Sequence, residues 1–183
     1  VNPLTAKEVQ ALLDEDTVLL AYYMGMEWSG VFVVTQAKTL GLNLDTTRKA
    51  LADKVKEFRK ETDEGVTVKV FTSKEYEKPL TELYQLLIQP VEQELAGKKH
   101  LVVVPHGMLH YLPFQALRTQ GGKYLLESYT VSYLPSASVL KYARDKNRGN
   151  RAALFAVANP KTDLAPLPAA EVEAREVSVL FDR

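Results

Sequence analysis

The chain reads as an α/β fold, and three features of its sequence predict that class. β-Prone runs at 17–23, 30–35 and 101–104 are interleaved with amphipathic helical stretches at 46–58 and 79–95, rather than segregated from them. Four consecutive apolar residues, Leu101-Val-Val-Val104, are bounded by charge and by Pro105, which is the pattern of an interior strand covered on both faces. From residue 152 an apolar small-residue run, a loop and a helical pattern follow in the order of the first unit of an α/β sheet.

Composition bounds what such a fold can do. With 183 residues, 46% of them hydrophobic, the chain can bury the core of one domain or two small ones. Lys plus Arg (23) equal Asp plus Glu (23), so no net field draws it to nucleic acid or to an anionic membrane, and partners are expected to be protein or peptide. Cysteine is absent, which removes disulfides, thiolate zinc sites and a thiol nucleophile together. No apolar run approaches the roughly 18 residues of a membrane span, and no signal peptide opens the chain, so a cytoplasmic location is expected. The chain opens at Val1 and stops at Leu180-Phe-Asp-Arg183 within a helical pattern, so it is expected to be a piece of a longer protein.

Taken in order, Leu4 to Asp14 carries Val9, Leu12 and Leu13 at helical spacing, too short a stripe to form a core alone, and residues 1–16 are read as a lead-in segment. Thr17 to Tyr23 and Gly30 to Thr35 flank a turn region, predicting two antiparallel strands, with Thr39 to Leu44 as a third. Thr46 is expected to cap a helix with Leu51, Val55 and Phe58 on one face and Gly65 past its end. Val66 to Phe71 alternates and fits either a short strand or an exposed extended loop.

Pro79 suits a first helical turn, and Leu80, Leu83, Tyr84, Leu87 and Ile88 form the stripe that follows. Pro90 should divide this helix before Val91 and Leu95 resume it, and Gly97 should end it. Leu101 to Val104 is the central-strand candidate. Leu125–Leu126 and Tyr129–Leu134 are expected to be short strands after the Gly121-Gly122 turn, and Ser136 to cap a helix through Tyr142. The charged stretch Asp145 to Arg151 is the predicted internal boundary, with a strand at Ala152–Ala158 and a helix at Pro168–Leu180 beyond it.

Chemistry-bearing patterns are few. The run into Pro105-His106-Gly107 puts a histidine after an apolar strand, but a histidine base needs a nucleophile to deprotonate and the chain holds no thiol, so His106 is read as a turn residue. His106 and His110 have the spacing of metal ligands on a helix, yet Pro105 and Gly107 argue for a turn and no carboxylate stands near them. Ser136 and Ser138 lack a nucleophile elbow, and no phosphate-binding glycine motif occurs. The nine tyrosines have no accompanying basic stripe and are read as core-edge residues, while Trp28 near the first hairpin tip is a possible partner anchor. No catalytic, cofactor-binding or metal-ligating residue is assigned.

Five stretches in order resemble one known family, the CHAT domain. They are Pro79-Leu-Thr-Glu-Leu-Tyr-Gln-Leu-Leu-Ile-Gln-Pro-Val91, Leu101-Val-Val-Val-Pro-His-Gly-Met-Leu-His-Tyr-Leu-Pro-Phe-Gln-Ala-Leu117, Tyr124 to Leu140, the Asn159-Pro160 pair and Leu167 to Val177. The opening Leu4 to Leu13, with Thr17 to Gly25, is similar to the segment that in this family usually follows helical TPR repeats.

The resemblance implies a caspase-haemoglobinase-like fold in which a non-catalytic pseudo-caspase subdomain, residues 17–148, precedes a cysteine peptidase (hydrolase) subdomain, whose first strand and helix would be residues 151–183. The family's catalytic His-Gly and Ala-Cys blocks both come after that helix and map onto no position here, so the implied role is scaffolding or regulation of a cysteine endopeptidase. The alternative is a non-enzymatic protein-interaction module of a TPR-CHAT protein lacking the dyad. Implied partners are the upstream TPR region and the downstream peptidase half, with self-association through the open edge of the 152–158 strand as a further expectation. Where family members often carry Asp in the Pro-Asp-Gly turn, this chain carries His106, which the family places in the inactive half.

Overall fold

Three β-prone runs joined by short turns fold as a meander, here Thr17–Met24 (β1), Ser29–Val34 (β2) and Thr39–Leu44 (β3), antiparallel with Tyr22 opposite Val31 and Phe32 opposite Gly41. The computed structural model describes residues 3–63, 76–146, 158–159 and 168–179. Its contacts divide the chain into Val1–Ala143 and Arg144–Arg183. In the first unit His100–Val104 (β4) pairs parallel to β1, and Thr130–Tyr133 (β5) pairs parallel to β4. The result is a mixed five-stranded sheet of order β3-β2-β1-β4-β5, so the chain is α/β.

Side chains alternate across the sheet, and the two faces are covered differently. Val18, Leu20, Tyr22 and Met24 of β1, with Val31, Val33, Leu101 and Val103, face the larger core. Two helices cover it, Arg48–Asp63 (α2) through Leu51, Val55 and Phe58, and Glu77–Leu87 (α3) through Leu80, Leu83, Tyr84 and Leu87. On the opposite face Leu19, Val34 and Val102 meet Val9 and Leu13, which belong to or follow Ala6–Ala11 (α1), together with Leu140. The opening segment thus carries part of the core. Its helix begins with a capping box, Thr5 and Glu8 each accepting the other's backbone N–H.

The run Leu101–Val104 lies between two strands with Leu101 and Val103 on the larger core and Val102 on the smaller, as an interior strand requires. Pro90 divides the helical stripe as expected. α3 ends at Leu87, a 3-10 turn spans Gln89–Val91, and Glu92–Leu95 (α4) completes the run before Gly97 leaves it at φ 74°. At that break the Val91 N–H bonds to Ile88 O instead of to Leu87 O, and the buried Tyr22 hydroxyl donates to Leu87 O at 2.9 Å. A core phenol therefore satisfies a carbonyl that the interrupted helix leaves open.

Several expectations are corrected. The cap of α2 is Thr47, whose Oγ1 accepts from the Ala50 N–H at 3.2 Å, and not Thr46, whose own N–H is turned back to Leu44 O at the strand exit. Leu125–Leu126 form part of a 3-10 turn, Leu125–Glu127, because the Glu127 carboxylate accepts the Tyr124 N–H and closes the chain on itself. The Gly121-Gly122 turn, with Gly122 at φ 88°, instead joins Arg118 to Tyr124 in an isolated antiparallel bridge. The helix after β5 is Val139–Lys146 (α5). Ser136 contributes its carbonyl, not its hydroxyl, to the Val139 N–H, and Ser138 Oγ accepts from the Leu4 N–H at 2.9 Å.

In the second unit Pro168–Ser178 (α6) is helical, with an Arg175–Glu171 ion pair one turn apart and exposed Val172 and Val177. The expected strands at 66–71 and 152–158 fall on or almost wholly on positions outside the described residues, as does Gly65.

Candidate functional site

Parallel strands β1 and β4 run to the same end of the sheet, β4 stopping at Val104 opposite Ala21 while β1 continues to Met24, and the carboxyl ends of parallel strands are where α/β sheets present ligand-binding loops. His106 stands here, two residues past the end of β4. Its Nδ1 accepts the backbone N–H of Met24, the last residue of β1, at 2.9 Å. Accepting there leaves Nε2 as the protonated nitrogen of the neutral ring. The ring lies parallel to Tyr23, 5.4 Å between centroids and 8° between planes, and Tyr23 in turn touches Trp28 at 4.9 Å.

Those contacts tie His106 to the sheet. The imidazole nitrogen that a base would use to orient itself is occupied by a main-chain N–H, and the ring rests against that of Tyr23. The turn reading of His106 acquires a partner that sequence spacing does not reveal, since Met24 lies 82 positions away.

The structure does not bring the other sequence candidates to this point. His110 is exposed in the 3-10 turn Gly107–Tyr111, so His106 and His110 do not share a helical face. Among the described residues no group of three or more His, Asp or Glu converges as a metal site. Ser138 is engaged at the amino end of the chain, and Ser136 lies in the turn before α5. Among the described residues, no helix is long and apolar enough to cross a membrane.

Trp28 is 47% exposed, and its indole lies over Gly30, where an added Cβ would come within 2.5 Å of the ring. Tyr23 and Phe32 are similarly exposed on the same face of the sheet, which the smaller core covers only over its other half. Sequence alternation could have flagged Tyr23, because it follows Leu19 and Ala21 on one side of β1. It could not show that the cover stops short of it.

Several tyrosines have their phenols perturbed by their surroundings. Burial pushes the Tyr22 phenol far above its ordinary range, and burial with the neighbouring Glu92 carboxylate does the same to Tyr84. Burial also raises Tyr133, opposed by hydrogen bonding at Phe114 and Gln115. These are phenols kept neutral for packing, not groups poised for proton transfer near neutral pH.

No curated protein matches the chain. The CHAT domain family matches residues 77–183, a range that begins at α3 and takes in β4, the His106 turn, β5 and α6. That range is more than half of the sequence, and the chain belongs to the CHAT domain family.

Proposed function

We propose that this chain is the non-catalytic, scaffolding and regulatory part of a CHAT-type caspase-like cysteine endopeptidase. On this reading residues 17–148 are its pseudo-caspase subdomain, and residues from 151 open the peptidase subdomain. The observation that carries the reading is the lack of any cysteine in a chain of this family. A thiolate attacking the scissile carbonyl, and a histidine to shuttle its proton, would have to come from a downstream peptidase half. The Met24 bond to His106 supports the same view, since it engages that histidine with the main chain of β1. The sheet and its helices would then hold the back of a site built elsewhere and pass contacts from an upstream TPR region.

The exposed Tyr23, Trp28 and Phe32 favour a second reading, a protein-interaction module whose parent has lost the dyad. The two part on the sequence that follows Arg183. An apolar strand ending in His-Gly and another ending in Ala-Cys support the peptidase, and their absence supports the module.

A direct test of the first reading is incubation of the purified chain with thiol-reactive peptidase probes and a peptide panel. No labelling and no cleavage are expected. Cleavage that disappears on His106→Ala would overturn the non-catalytic reading.

A further inference from the structure

The joint between the end of β1 and the turn after β4 depends on a single lone pair. β4 stops at Val104 opposite Ala21 while β1 runs on to Met24, so past that point the ladder between the two strands has ended. There the Met24 N–H bonds to His106, whose Nδ1 stands in for a strand partner at 2.9 Å. The turn around this bond is closely set. Pro105 is buried, Gly107 takes a φ of 58° where an added Cβ would lie 3.9 Å from the Met24 sulfur, and the His106 carbonyl accepts the Leu109 N–H at 3.2 Å. His106 itself is exposed, so solvent protons reach its ring.

A neutral imidazole has one acceptor nitrogen, and an imidazolium has none. The bond from Met24 and a doubly protonated His106 therefore exclude each other, because protonation sets one N–H against another. The titratable group that faces the ring is the Tyr23 phenol, across a stack of 5.4 Å and 8°. Glu27, in the turn between β1 and β2, and His110, in the 3-10 turn Gly107–Tyr111, are exposed. Among the described residues no ion pair or hydrogen bond joins either of them to His106.

We propose that this joint is a proton-operated latch, in which uptake of a second proton from solvent by His106 releases the Met24 N–H and loosens residues 105–107 from the end of β1. The stack on Tyr23 does not use the Nδ1 lone pair, so it becomes the ring's remaining tie to the strand. Release stays local, because Leu20 and Val103, paired with each other and fully buried, hold the two strands together below the turn. The carboxyl ends of parallel strands carry the ligand-binding loops of α/β sheets, and here the protonation state of one ring sets how firmly such a loop is held. The latch stands whichever of the two readings of the parent protein is correct.

The test is NMR on the isotope-labelled 183-residue chain across the titration of His106, followed through the ring's own carbon-bound protons. Exchange protection of the Met24 amide, corrected for the intrinsic pH dependence of exchange, should fall about fivefold along the His106 curve, the factor expected for one neutral hydrogen bond. The amides of Leu20 and Val103, in the paired part of the strands, should keep their protection. His106→Asn supplies a side-chain oxygen that accepts and does not titrate, so Met24 protection in that variant should stay constant over the same pH range. If His106→Asn disturbs the fold, the comparison of Met24 with Leu20 and Val103 in the unsubstituted chain alone decides. Constant Met24 protection while His106 titrates would overturn the proposal. So would an equal fall in His106→Asn, which would trace the loss to another group, or a parallel fall at Leu20 and Val103, which would make it general unfolding.

Discussion

His106 Nδ1 accepts the Met24 backbone N–H at 2.9 Å, joining the turn after β4 to the last residue of β1 across 82 positions. A single side-chain acceptor of this kind contributes about 1 kcal/mol net, and deleting it leaves a main-chain donor to find water. His106→Ala should therefore lower the urea midpoint at constant m by about 1 kcal/mol of stability, whereas His106→Asp, which keeps an acceptor on a short side chain, should recover most of the loss. Equal destabilisation by Ala and Asp would show that ring stacking on Tyr23, not the hydrogen bond, is what His106 supplies.

Val103 is fully buried in β4, paired with Leu20 on one side and Tyr133 on the other. A carboxylate placed there has no partner, so Val103→Asp should cost about 4 kcal/mol or more, and thermal melting should show a chain that is largely unfolded at 37 °C. Ser132 on the neighbouring strand is exposed, and Ser132→Asp should stay within about 0.5 kcal/mol of the parent. A wild-type melting temperature for Val103→Asp would contradict the interior placement of β4.

β4 and the segment after it differ in how much of their structure is local to the sequence. Leu101 to Val104 announces a doubly covered strand because four apolar side chains in alternating directions must each be buried somewhere. The α3 stripe and its division at Pro90 were equally legible, since helix periodicity and a missing N–H are local facts. Leu125–Leu126 were not, because a two-residue apolar pair has no period, and the Glu127 carboxylate decides the matter by closing a turn on Tyr124. Thr46 and Thr47 are chemically identical cap candidates, and only the Thr46 N–H bond to Leu44 O separates them. The turn role of His106 was legible from Pro105 and Gly107, but its partner on β1 is a consequence of strand pairing.

Trp28 is the only tryptophan in the sequence, and its ring lies over Gly30. An alanine at position 30 would bring its Cβ within 2.5 Å of the indole and 3.0 Å of the Leu42 carbonyl oxygen on β3. The indole can rotate away but the strand backbone cannot, so the tryptophan should be displaced into water. Gly30→Ala should shift the emission maximum to longer wavelength and lower stability by about 1–3 kcal/mol, the range for overpacking. Unchanged emission would mean that the indole does not rest on this glycine in solution.

The last prediction concerns alkaline pH and follows from Tyr22. Its phenol is buried and donates to Leu87 O, so the folded chain holds the proton well above the pH at which an unfolded tyrosine, with a pKa of about 10, releases it. Above that pH the unfolded state binds fewer protons than the folded state, and stability must fall as pH rises. The stabilisation is complete below about pH 10 and declines above it by about 1.4 kcal/mol per pH unit for one such phenol. Tyr22→Phe should be less stable at neutral pH, because Leu87 O loses its donor, yet its stability should fall less steeply above pH 10 by that same slope. Chemical denaturation of both proteins between about pH 8 and pH 11 separates the two effects, the first as an offset and the second as a change of gradient. Parallel curves across the whole range would show that the Tyr22 hydroxyl ionises in the folded protein, and its place as the partner of the Leu87 carbonyl would have to be abandoned.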